Sequence, residues 1–360
     1  MFDPLKPYNE LPPLPPNTDV ETKAVLKKAI SAGRALAELK GLGQTLPNQA
    51  MLLNTVVLQE AKDSSEIENI VTTNDAIYEA LTASTTAVDS ATKEVIRYRE
   101  AMWQGFNALK KEPRLNTNLF LQIVQTIKED NRGIRNAPGT VIGNPMTREV
   151  YFTPPVGETI ITRKLGELEE FINAADRIDP LVKMALIHYQ FEAVHPFFDG
   201  NGRTGRIINI LYMVLRDLLD IPVLYMSKYI IERKSEYYRL LREVTEHGAW
   251  EPWILYMLDA VEVMSALTRQ RIIDIRALLD DTLTFAKSNL PSRVYSKDIV
   301  ELVFRQPYTK GQFLVDMGIA ERKTAADYLQ ELEKIGILKR KKVGRENLYL
   351  NEKLYNLLSK

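Results

Sequence analysis

Residues 195–206 read His-Pro-Phe-Phe-Asp-Gly-Asn-Gly-Arg-Thr-Gly-Arg, and the setting of this stretch decides the fold. Gly200, Gly202 and Gly205 fit the G-x-G-x-x-G pattern of a dinucleotide site, and Asp220 stands where a ribose-binding carboxylate would. That pattern must follow a β-strand directly. Upstream, however, Leu181, Met184, Ala185, His188 and Phe191 recur at helical spacing. The glycines therefore belong to a loop between two helices, and the fold class is mainly α. The phosphate-loop pattern G-x-x-x-x-G-K-[ST] occurs nowhere.

The residue types of the loop converge on a phosphate chain. Gly200 and Gly202 let backbone amides approach a ligand closely. The helix beginning near Arg203 offers unpaired N–H groups at its positive end. Arg203 and Arg206, three apart, share a face there and call for an anion, because positive charge is unfavourable at a helix start. Asp199 supplies one carboxylate, suited to Mg²⁺ that keeps several waters and bridges phosphates. His195 can take a proton from a hydroxyl near neutral pH. Phe197 is expected to anchor the loop in the core, and His188 and His247 are read as structural.

Working outward, helical patterning covers residues 19–40, 47–65, 74–81 with Thr73 as N-cap, 90–110 and 118–129. It returns over 164–176, 180–192, 205–219, 232–248 and the strongly apolar 250–279. Between 133 and 162 two β-prone runs, 140–142 and 150–153, flank Gly-Asn-Pro-Met-Thr-Arg, which predicts a β-hairpin with an exposed loop. The proline-rich opening through Pro16 is expected to be an extended arm on the domain surface rather than an SH3-type ligand. Residues 292–352 read helix, helix, helix, then a two-stranded wing, a winged helix whose third helix spans 321–334. The expected division is 1–110, 111–290 with the hairpin at 139–155, and 291–360.

Composition narrows the functions available to the 360-residue chain. Lys plus Arg balances Asp plus Glu at 47 each, so no global field draws it to nucleic acid or lipid. The absence of cysteine excludes disulfides, thiolate nucleophiles and sulfur-based zinc sites. The first residues lack a secretion signal, and no stretch approaches about 18 uninterrupted apolar residues, so a cytoplasmic protein without membrane contact is expected.

Residues 195–206 match the Fic-domain signature H-x-F-x-[D/E]-G-N-G-R-x-x-R without a departure. With its proline-rich start and appended winged helix, the chain resembles bacterial Fic adenylyltransferases of the SoFic type over roughly residues 10–290. The resemblance implies transfer of AMP from ATP to a Ser, Thr or Tyr hydroxyl of a target protein, the chain itself included, with release of pyrophosphate. In that setting His195 would deprotonate the hydroxyl and Asp199 would position Mg²⁺. Gly200, Asn201, Gly202, Thr204 and Gly205 would form the phosphate turn, with the Asn201 side chain holding phosphate and Arg203 and Arg206 gripping the β and γ phosphates. The hairpin would be a flap that aligns the target segment. Tyr237 and Tyr238 would help wall the adenine, while Thr245 stands near where some relatives carry an asparagine.

Ser64, Glu68 and Asn69 in Ser-Ser-Glu-Ile-Glu-Asn resemble the Fic inhibitory motif [S/T]-x-x-x-E-[G/N]. Ser64 and Glu68 lie one turn apart, and Glu68 paired to Arg206 would occupy the guanidinium meant for γ-phosphate. Some relatives use the equivalent glutamate to help remove AMP, so AMP removal is an alternative reading, and transfer of UMP or phosphocholine another. A DNA-binding regulator is the alternative of another class, with Arg322, Lys323 and Thr324 opening the third helix and residues 339–342 and Arg345 around the wing; such units also dock proteins. Family members often form homodimers, but the sequence shows no interface.

Overall fold

The computed structural model describes residues 2–44, 49–84, 87–144 and 147–359. The expected helix start at Pro47 and the hairpin residues Pro145 and Met146 lie outside them. Five helices come first: α1 (Lys23–Gln44), α2 (Gln49–Ile67), α3 (Asn74–Thr82), α4 (Ser90–Lys111) and α5 (Thr117–Lys128). Polar caps set their starts. The side chains of Thr73, Asp89 and Asn116 accept from the amides of Ala76, Thr92 and Leu119 at 3.1, 2.9 and 2.8 Å.

The antiparallel hairpin follows, β1 (Ile142–Asn144) and β2 (Glu149–Phe152), with Gly143 opposite Val150 and an irregular register between Ile142 and Gly143. The strands sit slightly inside the segment expected. A Cβ at Gly143 would lie 2.1 Å from the Glu149 carbonyl oxygen, so only glycine allows this pairing. The N-terminal arm runs alongside: Tyr8 N donates to Thr153 O at 2.9 Å, and the ring of Phe2 stacks on Phe152.

Next come α6 (Glu158–Asn173), α7 (Pro180–Val194), α8 (Asn201–Leu215), α9 (Ser227–Glu232), α10 (Lys234–His247) and α11 (Trp250–Asn289). Helix α7 is the hub, buried on nearly every face and packed by α1, α6, α8 and α11. Asp179 caps it and Pro180 occupies its first turn, where a missing N–H costs nothing.

Several helix boundaries depart from the sequence reading. Helix α6 begins at Glu158, after Gly157 turns the chain at φ 95. Helix α8 begins at Asn201 because Gly200 adopts the left-handed conformation (φ 84), and it stops before Asp217, which does the same (φ 55). The single helix expected over 232–248 is two, broken at Arg233 and started earlier by Ser227, whose amide is tied to Glu60 at 2.9 Å. Helix α11 continues ten residues beyond the expected 279, to Asn289.

The C-terminal unit contains α12 (Lys297–Leu302), β3 (Tyr308–Thr309), α13 (Gly311–Asp316), α14 (Arg322–Lys334), β4 (Lys339–Val343), β5 (Glu346–Leu350) and α15 (Glu352–Leu358), with strand order β3-β5-β4. This is the element order of a winged helix. The unit docks on α3. Lys341 Nζ reaches Glu79 at 2.6 Å and Asp75 at 3.2 Å, and Tyr308 Oη donates to Asp75 at 3.0 Å. Of the basic residues expected to meet DNA, Lys341 thus faces α3, while Lys339 pairs with Glu352 and Arg340 approaches Glu333. Arg322, Lys323, Lys342 and Arg345 are exposed. No helix among the described residues is long and apolar enough to cross a membrane.

Candidate active site

The α7–α8 turn is built from its own side chains. Pro196 prevents α7 from continuing, and His195 closes the helix in the left-handed region at φ 47, a conformation costing a non-glycine residue about 1–2 kcal/mol. Phe197 is buried against Phe191, whereas Phe198 is exposed under Arg132. The Asn201 side chain closes the loop, accepting from Phe197 N and donating to Phe197 O, both at 2.8 Å. Its amide is thereby engaged with the loop rather than turned to a ligand.

The two arginines of α8 point to different places. Arg203 is fully buried and pairs with Glu94, which also receives Lys128 at 2.8 Å. Arg206 is almost fully buried and donates to Ser64 Oγ at 2.8 Å, Ser64 O at 2.7 Å and Glu68 Oε1 at 2.8 Å. Burial works against the Arg206 charge, but Glu68 outweighs it and holds the guanidinium more firmly protonated than usual. Each arginine thus finds its anion within the chain.

One cleft of about 520 Å³ gathers His195, Gly202, Arg206, Glu68, Asn69, Tyr237 and Tyr238, with Ile142, Gly143, Tyr151 and Phe152 of the hairpin at its rim. Asp199, Gly200, Asn201, Arg203, Thr204 and Gly205 are not on its wall. Gly200 shapes the turn, and Thr204 is fully buried beneath it. Tyr238 is exposed, while Tyr237 is buried and bonded through its hydroxyl to His188 Nε2 at 2.8 Å. His188, stacked on Trp253 and pushed down to about 3 chiefly by burial, is a core residue.

Burial first, then the nearby Arg135 charge, lowers His195 to about 4, so its imidazole is neutral at neutral pH. Its Nδ1 has no hydrogen-bond partner among the described residues. One turn earlier Glu192 also lines the cleft, its Oε1 buried and without a hydrogen-bond partner among the described residues, and burial raises its carboxyl to about 7. Sequence reasoning missed Glu192 and Arg135. For Glu192 the available signal was its place three residues before His195 on the same helix.

Asp199 is half exposed, accepting from Gly200 N at 2.6 Å and pairing with Lys128 at 2.6 Å. Among the described residues no group of three potential metal ligands exists. A lone, accessible carboxylate beside the turn fits magnesium, which takes its remaining oxygens from water and phosphate, once Lys128 yields.

Three family models match successive parts of the chain: Fic/DOC family N-terminal over residues 26–107, Fic/DOC family over 114–213, and protein adenylyltransferase SoFic-like, C-terminal domain, over 278–354. Among curated relatives, protein adenylyltransferase fic-1 of Caenorhabditis elegans is 31% identical over 38% of this chain and 26% of its own length. A probable protein adenylyltransferase of Aquifex aeolicus is 24% identical over 71% of this chain and 66% of its own. The chain thus spans about a quarter of the length of the nematode relatives it matches. A crystal structure of a Fic family protein from Desulfovibrio desulfuricans superposes with a TM-score of 0.58 at 17% identity, covering 93% of this chain and 98% of that one. A Fic domain containing signaling protein from Bacteroides thetaiotaomicron gives 0.54 at 18% identity over 68% and 95%. With the three models following one another along the sequence and these neighbours sharing its helical architecture, the chain belongs to the Fic/DOC family.

Proposed function

We propose that this protein is an adenylyltransferase that moves AMP from ATP to a hydroxyl side chain of a protein and is restrained by its own Glu68. The observation that carries the reading is the cleft in which a neutral His195, Gly202 and Arg206 meet beside the hairpin. A target segment added to the hairpin's edge by main-chain bonds would bring its hydroxyl to His195 with little sequence demand. His195 takes the hydroxyl proton, the oxygen attacks the α-phosphorus, and the bond to the departing pyrophosphate breaks. Arg206 holds the outer phosphates and stabilises the charge that develops on the leaving group. Magnesium at Asp199 would neutralise the phosphate bridge.

Ser64 on α2 and Glu68 in the turn just past it already occupy Arg206, which supports the proposed restraint. The Glu68→Gly chain, incubated with magnesium and ATP labelled at the α-phosphorus, is expected to carry at least about tenfold more label than the parent and none from γ-labelled ATP. His195→Ala in that background should abolish labelling while ATP binding persists. Persistent labelling of the folded double variant would remove His195 from the role. No label on any protein, with folding intact, would remove the activity, and the adduct mass separates adenylyl from other groups.

A further inference from the structure

Arg135 is a buried guanidinium that forms no ion pair among the described residues. Its partners are main-chain carbonyls. Nε donates to His195 O at 2.6 Å, and Nη2 donates to Pro155 O at 2.5 Å and Val194 O at 3.2 Å; its own amide donates to Pro196 O at 2.9 Å. Val194, His195 and Pro196 are the end of α7 and the turn beyond it, while Pro155 lies three residues past the hairpin strand β2. One planar fork therefore joins the hairpin's exit to the backbone that carries the imidazole.

Burying an arginine against carbonyls alone is expensive, and desolvation lowers its own proton affinity to about 10. An aliphatic side chain would fill the space without that cost, so the cost calls for a return elsewhere. Two returns are visible. Lysine would offer a point charge, whereas the guanidinium fixes two segments in one geometry, including the left-handed backbone at His195. Its uncompensated charge also bears on the imidazole. The other groups acting on His195 are the Glu68 and Asp199 carboxylates and the Glu192 carbonyl, and all of them favour its protonated form.

We propose that Arg135 is a positioning residue for the transfer step, joining the hairpin's exit to the end of α7 through one guanidinium and so aiming His195 at the flap. This rests on the reading of His195 as the base, but part of its test does not. The chain has three histidines, so ring carbon–proton spectra show three signals, and His195→Ala identifies the relevant one. In the full-length Glu68→Gly protein, Arg135→Gln is expected to raise the His195 midpoint by about one pH unit. It should also lower kcat more than about tenfold while the KM for ATP changes less than about twofold. Arg135→Lys should leave the midpoint near that of the parent yet recover only part of kcat, because the charge returns without the fork. An unmoved midpoint in folded Arg135→Gln, or a rise in KM with kcat intact, would overturn the proposal. Should Arg135→Gln not fold, undiminished kcat in Arg135→Lys would overturn it equally. Transfer surviving in His195→Ala would dispose of the base instead, leaving the midpoint comparison valid.

Discussion

A methyl group built on Gly202 would stand 2.2 Å from Glu68 Oε1 and 3.0 Å from Arg206 Nη1. The glycine is thus required by the carboxylate that enters from α2 as well as by any ligand. Gly202→Ala should cost about 1–3 kcal/mol in the parent chain and clearly less in the Glu68→Gly background, where the nearer neighbour is gone. Equal costs in both, read from denaturant melts, would show that Glu68 is not what the methyl group meets. The backbone conformation of the turn was legible where it depends on local chemistry: glycine permissiveness and the proline after His195. What escaped was distant. Arg135 comes sixty residues before His195 and binds carbonyls, which carry no residue signature. The pairing of Arg206 with Glu68 was expected from the inhibitory motif, whereas nothing in the sequence around Arg203 revealed that it would turn to Glu94.

Helix α2 is anchored by acids along one side. Glu60 is buried, accepting from Ser227 N at 2.9 Å, Ser227 Oγ at 2.5 Å and Tyr98 Oη at 3.2 Å, and burial raises its carboxyl to about 7 despite the Ser227 bonds. A carboxyl raised on folding binds more protons in the native state between its unfolded and folded values. Stability is therefore lost as pH rises through that window, from about 4.5 to about 7, and the full penalty applies above it. Glu60→Gln, which keeps the shape and most bonding, should raise the melting temperature more at about pH 8 than at about pH 5. The same increment at both pH values would contradict the assignment. Helix existence was readable from apolar periodicity, but ends were less so: the early start of α9 at Ser227 is held by Glu60, a contact between segments far apart in sequence.

Across the whole molecule, α3 connects the Ser64–Asn69 segment to the C-terminal unit. Asp75 accepts from both Tyr308 Oη and Lys341 Nζ, whereas Lys341 is partly exposed and has Glu79 as a second partner. Asp75→Ala leaves the largely buried Tyr308 hydroxyl without an acceptor and should cost about 1–2 kcal/mol, against about 0–1 kcal/mol for Lys341→Ala. The reverse order in thermal melts would mean that the charge, not the hydroxyl, holds the unit. The helix, helix, helix, two-strand order of the C-terminal unit was readable from patterning, but not the face by which it meets α3, since Lys341 looks like any surface lysine until its partners are known. The enclosure of Arg206 by Ser64 and Glu68 has a further quantitative consequence. If a triphosphate engages only molecules whose Arg206 is released, its apparent Kd is the intrinsic value divided by the released fraction, so every tenfold excess of enclosed molecules weakens measured binding tenfold. The apparent Kd of the parent divided by that of Glu68→Gly is then one plus the enclosure equilibrium constant, obtained from two titrations without any turnover.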